Sequence, residues 1–82
     1  MEMLGEIKLF SGNYLPQGWR YCDGSEMKTW DHFELYKVVA PLQGENFWND
    51  TFYLPDLREE EHNLDRCRYI IRIEGQAPAQ SS

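Results

Sequence analysis

Alternating apolar and polar positions along the chain predict several short strands. The alternation is clearest over residues 67–73, where Tyr69, Ile71 and Ile73 alternate with Arg68, Ile70 and Arg72. We expect four further strands, over residues 4–10, 19–22, 26–28 and 51–54. Asp23-Gly24 lies between two of these strands and predicts a tight hairpin turn that pairs them.

One segment follows helical periodicity instead. Leu35 and Val39 lie on the same apolar stripe, four residues apart. Asp31 is a candidate N-cap, and Pro41 is expected to end the helix, because the residue before a proline avoids the helical region. The pattern predicts a helix of about two turns over 32–40, which is too short to be stable unless its stripe packs on a sheet.

The order of these elements indicates the fold class. Strands, one short helix and then more strands predict an α+β domain, with a small, mainly antiparallel sheet, the helix packed on it and many loops. A chain of 82 residues suits one small domain. We expect residues 1–75 to form this domain and the Pro/Ala/Ser-containing segment 76–82 to be a disordered tail.

Charge and hydropathy narrow the range of partners. The formal net charge is −6 at pH 7, which repels phosphate backbones, so we expect no nucleic-acid partner. The N-terminal residues lack the apolar core of a secretory signal, and no apolar run approaches the length of a membrane span. The sequence therefore predicts assembly in a cytoplasm without membrane insertion.

Residues with catalytic or metal-binding chemistry are few. The two imidazoles, His32 and His62, have no second histidine or cysteine at short helical or strand spacing. Asp23 and Asp56 each occupy a turn, where an aspartate commonly bonds its own backbone, and Arg58 is a candidate bidentate partner for one of them. We therefore expect no catalytic residues, no metal site and no cofactor, and hence no enzyme.

The two cysteines are far apart in the sequence. Cys22 and Cys67 form no CxxC motif and no zinc-type spacing with histidine. We expect two reduced, partly buried thiols, and a disulfide only if their strands are neighbours.

A loop is expected over residues 43–50. Four aromatic side chains beside this and other predicted loops form a candidate interaction surface: Tyr14, Trp30, Phe47 and Trp48. Such rings can stack on sugars or anchor a protein interface. The other interpretation is that they close the core, which a small domain needs because it is short of buried area. We favour the core interpretation for these four and assign Trp19, within its strand, to the core.

Two blocks of turn-forming and large apolar residues flank the predicted helix. One occupies residues 12–24 and the other residues 51–58, and both fix backbone shape rather than supply reactive groups. In this order they resemble the phage tail collar domain family, and a strand-like segment at 69–71 resembles that family's closing strand. The resemblance covers about residues 4–78. The positions in the two blocks that carry it are Pro16, Gly18, Trp19, Cys22, Asp23, Gly24, Phe52, Leu54, Pro55, Asp56, Leu57 and Arg58.

The resemblance implies a non-enzymatic structural component of a phage tail or a phage-tail-derived particle, at a fibre tip, collar or baseplate. Its partners would be other tail or baseplate proteins, and it would form a homo-oligomer, with a trimer as the first expectation. The alternative is a module that binds a cell-surface glycan or receptor for host recognition. Large members of the family carry a receptor-binding insertion after the second block, whereas only residues 59–68 fill that gap here. The metal-binding His-x-His of short tail fibre tips is absent from the sequence.

Overall fold

Six short strands and one helix make up the part of the chain that the computed structural model describes, residues 3–61 and 66–75. In chain order they are β1 (Ile7–Phe10), β2 (Trp19–Tyr21), β3 (Glu26–Lys28), α1 (Phe33–Gln43), β4 (Glu45–Asn46), β5 (Thr51–Tyr53) and β6 (Arg68–Arg72). The predicted α+β class is confirmed.

The strands form two separate antiparallel sheets rather than one. The first has the order β1-β6-β2, and the second has the order β3-β5-β4. In the first sheet Ile7 lies opposite Ile71, and in the second Met27 lies opposite Phe52. The expected loop over 43–50 contains β4, which pairs with β5.

The predicted hairpin at Asp23-Gly24 is wrong. β2 pairs with β6, and β3 pairs with β5, so this turn carries the chain from one sheet to the other. Asp-Gly favours a turn wherever it occurs, but the pairing of the flanking strands depends on which neighbour covers their apolar side chains. Here β6 inserts between β1 and β2, and β5 inserts between β3 and β4.

The helix differs from its prediction at both ends. It begins at Phe33, after His32 rather than Asp31, and its start has no side-chain capping bond. It continues past Pro41, because the proline lies in the last turn and removes only one donor there. Gly44 ends it, with φ at 91° and its N–H donated to the carbonyl of Ala40 at 2.8 Å.

The core lies between α1 and the two sheets. Its largest fully buried side chains include Leu35 from the helix, Phe52 and Leu54 from the second block, and Ile71 from β6. Ile70, on the opposite face of β6, is fully buried as well. The two sheets and the helix therefore share one core, and the first sheet also buries residues on its second face.

Two predictions fall outside the described residues. The boundary between a domain at 1–75 and a disordered tail at 76–82 stays a prediction, and so does the connecting role of 62–65, which includes His62. The described part of the chain contains no helix long and apolar enough to cross a membrane.

Candidate interaction surface

The two sequence blocks meet and hold the two sheets together. Asp23 and Asp56 form an isolated antiparallel bridge. Beside it the N–H of Gly24 donates to the carbonyl of Pro55 at 3.1 Å. Gly24 has φ at 78°, a conformation that costs a residue with a side chain about 1–2 kcal/mol. Backbone contacts between the two blocks therefore join the two sheets.

The Asp56 side chain stabilises its own turn, as predicted. Its two carboxylate oxygens accept bonds from Arg58 Nε at 2.9 Å and Nη2 at 2.7 Å. Its Oδ1 also accepts the N–H of Arg58 at 3.2 Å. The side-chain bond from Arg58 lowers the pKa of Asp56 to about 2. A carboxylate held in this way is a poor general base.

Asp23 stabilises the other block in a similar way. Its Oδ1 accepts the N–H of Ser25 at 3.1 Å and also the Ser25 hydroxyl. Each of the two acids is therefore engaged with a residue two positions further along the chain. Their arrangement supplies turn geometry rather than an acid–base pair.

Both cysteines are free thiols, in agreement with the prediction. Cys22 is fully buried in the core, whereas Cys67 is partly buried. Burial, followed by the negative charges of Glu61 and Asp23, raises the pKa of Cys22 to about 11. At neutral pH Cys22 is therefore protonated and a poor nucleophile. Among the described residues no group of three or more His, Cys, Asp or Glu side chains is placed to hold a metal ion.

The four candidate interaction residues all face solvent. Their exposed fractions are 88 % for Tyr14, 72 % for Trp30, 81 % for Phe47 and 96 % for Trp48. The interpretation that these rings close the core is therefore wrong. Trp19 is only 4 % exposed, which confirms its assignment to the core.

Trp30 is the outer end of a stack of rings that reaches the core. It packs parallel to Phe33, with ring centres 5.5 Å apart, and Phe33 packs on Tyr36 at 5.7 Å. Tyr36 then meets the buried Phe52 edge-on, also at 5.7 Å. The contacts fix the orientation of the exposed ring, which lowers the entropic cost of using it for binding.

A pocket opens between this stack and the hairpin formed by β4 and β5. Trp30 and Phe47 contribute to it from opposite elements, whereas Tyr14 and Trp48 do not. Its lining residues are Thr29, Trp30, Phe33, Tyr36, Glu45, Asn46, Phe47, Asp50 and Thr51. The structure thus brings together two of the four predicted residues.

Sequence reasoning missed the other main contributors to this pocket. Phe33 and Tyr36 were not among the four candidate interaction residues. The available signal was their spacing, because residues three apart share one helix face, and Trp30 lies three residues before Phe33. No sequence pattern pointed to Glu45 and Asp50, since only the pairing of β4 with β5 brings them beside the helix.

A second apolar area lies at the free edge of the first sheet. Ile7 and Leu9 on β1 are 42 % and 47 % exposed, and among the described strands β1 has a neighbour on one side only. Leu42, at the end of α1, is 80 % exposed and lines a shallow groove with Ile7 and Leu57. This edge can accept another strand or an apolar surface.

Comparison with known protein families matches residues 5–61 to the phage tail collar domain. The match spans more than half of the chain and contains both blocks, at 12–24 and 51–58, together with the whole of α1. It ends before β6, so the resemblance of the closing strand stays a prediction. Neither the curated proteins nor the solved structures yielded a match. The chain belongs to the phage tail collar domain family.

Proposed function

We propose that this chain is a non-enzymatic structural component of a phage tail or a phage-tail-derived particle, located at a fibre tip, collar or baseplate. Membership of the collar family supports a structural role in a phage tail. The position within the tail, the partners and the origin from a phage or a prophage are part of the proposal. The turn-forming roles of Asp23 and Asp56 support a function without catalysis.

The proposal rests mainly on the large apolar side chains that are exposed to solvent. Among residues 3–61 and 66–75, five large apolar residues are mostly exposed: Tyr14, Trp30, Leu42, Phe47 and Trp48. Single exposed apolar residues are common, but contiguous areas mark interaction sites. Phe47 and Trp48 are adjacent, and Trp30 shares a pocket with Phe47. We infer that other tail or baseplate proteins cover this surface.

The proposed location can be tested on intact particles. Tail particles isolated from cells that produce the chain should contain it, detected by mass spectrometry, and an antibody against it should label one end of the tail in electron micrographs. Absence from purified particles, while the chain is abundant in the lysate, would contradict the proposal.

We also propose that the chain forms a homo-oligomer, with a trimer as the first expectation. The free edge of β1, with Ile7 and Leu9 exposed, is a surface on which copies can associate. Size-exclusion chromatography with light scattering should give a mass above one chain, and Leu9→Lys should lower it. Ser11→Lys adds the same charge at an exposed position outside β1 and should leave the mass unchanged. A monomer at every concentration would refute the oligomer.

A second candidate function is binding of a cell-surface glycan or receptor. It is favoured by the nearly complete exposure of Trp48, beside Phe47 on the β4–β5 turn. The wild-type chain should bind a glycan array or host cells, and Trp48→Ala should abolish binding without changing the thermal unfolding midpoint. Leu42→Ala removes another mostly exposed apolar residue, one without a ring, and serves as the control. Absence of binding by the wild-type chain would leave assembly as the remaining function.

A further inference from the structure

The pocket between α1 and the β4–β5 hairpin combines aromatic rings with negative charge. Trp30, Phe33 and Tyr36 form one wall, and Phe47 lies on the hairpin side. Its ionisable acids are Glu45 and Asp50, and no lysine, arginine or histidine lies among its lining residues. The composition therefore favours a positively charged occupant.

The ring wall is suited to a cation. One face of Trp30 packs on Phe33, and its exposed fraction of 72 % leaves the other face open. Tryptophan attracts cations more strongly than the other aromatic side chains do. The stack already attracts a cation from its own chain, because Lys37 Nζ lies 5.4 Å from the ring centre of Phe33. That lysine is also paired with Glu34 at 3.1 Å.

The two carboxylates are held beside these rings by the backbone. Glu45 is close to the Tyr36 hydroxyl, and its hydrogen bond raises the pKa of Tyr36. Asp50 has φ at 54°, and its carbonyl accepts the N–H of Thr29 at 2.9 Å. Within residues 3–61 and 66–75 the Asp50 carboxylate makes no hydrogen bond or ion pair of its own. This exposed carboxylate is therefore available to a cationic ligand.

Two of the remaining polar side chains of the pocket are already engaged within the chain. Asn46 Oδ1 already accepts the N–H groups of Trp48 at 3.1 Å and Asn49 at 3.3 Å. The Thr51 hydroxyl donates to Glu26 on β3. Sugar hydroxyls need several donors and acceptors in fixed positions, whereas a planar cation needs a ring face and a carboxylate.

We propose that this pocket binds an arginine side chain presented by a partner protein in the tail. The guanidinium group stacks on the open face of Trp30 and bonds the Asp50 carboxylate. Arginine fits better than lysine because its planar group satisfies a ring face and a carboxylate at once. The net charge of −6 draws a basic partner toward the surface. This inference rests on the proposed function in protein–protein contact.

The test uses nuclear magnetic resonance of the full chain. The three tryptophans give three indole N–H signals, which single substitutions assign. Titration with N-acetyl-arginine amide should move the Trp30 signal and leave that of buried Trp19 in place. The citrulline analogue has nearly the same shape but no charge, and it should leave all three signals in place.

Two variants test the residues of the pocket. Asp50→Asn keeps the side-chain size and tolerates the positive φ, and it should weaken binding about fivefold. Trp30→Leu, followed through the backbone amide of Asp50, should weaken it about two- to fivefold. Glu60→Gln removes one charge from an exposed position outside the pocket and should change the affinity little. Equal weakening by Glu60→Gln and Asp50→Asn would mean general charge attraction and would overturn the site.

Two further results would also overturn the inference. Equal shifts with the arginine and citrulline compounds, or no shift at all, would show that the pocket does not select a cation. Shifts with methyl glycosides but not with arginine would assign the pocket to a carbohydrate. None of these outcomes affects the mass measured by light scattering or the detection of the chain in tail particles, so the two proposals fail separately.

Discussion

Replacing Gly18 by alanine tests the backbone geometry of the first block. Gly18 has φ at 87°, in the left-handed region. A Cβ atom there would lie 2.6 Å from Nη1 of Arg72 and 3.0 Å from its Cζ. The substitution therefore strains the backbone and displaces a guanidinium group.

The two contributions can be estimated separately. The left-handed conformation costs an alanine about 1–2 kcal/mol. Arg72 can move, because the contact is at the end of a flexible side chain. The movement breaks its hydrogen bond to the Gln17 carbonyl, which is 3.2 Å long, and its contact with the Trp19 ring, whose centre lies 5.7 Å away. Loss of these contacts adds about 0.5–1 kcal/mol. The total of about 1.5–3 kcal/mol is a large share of the roughly 4–12 kcal/mol expected for a chain of this size.

Urea unfolding followed by tryptophan fluorescence measures this loss. We expect Gly18→Ala to lower the unfolding midpoint without changing the dependence of the free energy on urea concentration. Gly24→Ala is the matched control. Its φ is 78°, but its nearest new neighbour is Cβ of Asp56 at an ordinary 3.4 Å, so it should show only the backbone cost of about 1–2 kcal/mol.

The comparison separates the two causes. If both variants lose less than about 0.5 kcal/mol, the typical range for neutral surface changes, the backbone argument is refuted. If both lose the same larger amount, displacement of Arg72 contributes nothing. A greater loss in Gly18→Ala supports both contributions.

Three further predictions follow from burial and from the pKa shifts. In urea unfolding, Trp19→Ala should lower the free energy of unfolding by about 3–5 kcal/mol, whereas Trp48→Ala should change it by no more than about 0.5 kcal/mol. A similar loss in both variants would contradict the burial of Trp19 and the exposure of Trp48. Because the pKa of Asp56 falls to about 2 in the folded chain, its contribution to stability should be full above its ordinary value of 3.8 and disappear as the pH falls toward 2. A carboxyl titration by nuclear magnetic resonance checks this. Arg58→Gln should return the titration midpoint of Asp56 toward 3.8. A midpoint of Asp56 that is unshifted in the wild-type chain would refute the ion pair. Since burial raises the pKa of Cys22 to about 11, its neutral thiol favours folding and stability should fall as the pH rises from 9 toward 11. Alkylation of Cys22 should be slow until the chain unfolds, and rapid labelling of the native chain would show that the thiol is accessible.

Local periodicity was sufficient to locate most elements of secondary structure. The strand over 67–73 and the helix over 32–40 were placed to within a few residues, because alternation and helical spacing are properties of consecutive residues. The end of the helix was misplaced because Pro41 forbids one hydrogen bond, and the remaining bond from Gly44 to Ala40 suffices to close the last turn.

The candidate site was only partly predictable. Trp30 and Phe47 were named as candidates for an interaction surface, although burial in the core was favoured, and the sequence could not show that they share a pocket. Their proximity depends on the pairing of β4 with β5, and β4 has only two residues, too few for an alternation pattern. Asp50 joins them for the same reason.

The sequence by itself determined the α+β class, the family and the places where the chain turns. These depend on the order of residues along the chain and on the backbone preferences of glycine, proline and aspartate. Only the tertiary structure decided which strands pair and which rings reach solvent. Pairing joins segments far apart in sequence, as β6 does between β1 and β2, and the core is then filled by whichever side chains that pairing turns inward. Phe52 is buried and Trp48 is exposed for this reason, although both are large aromatic residues on or beside the same hairpin.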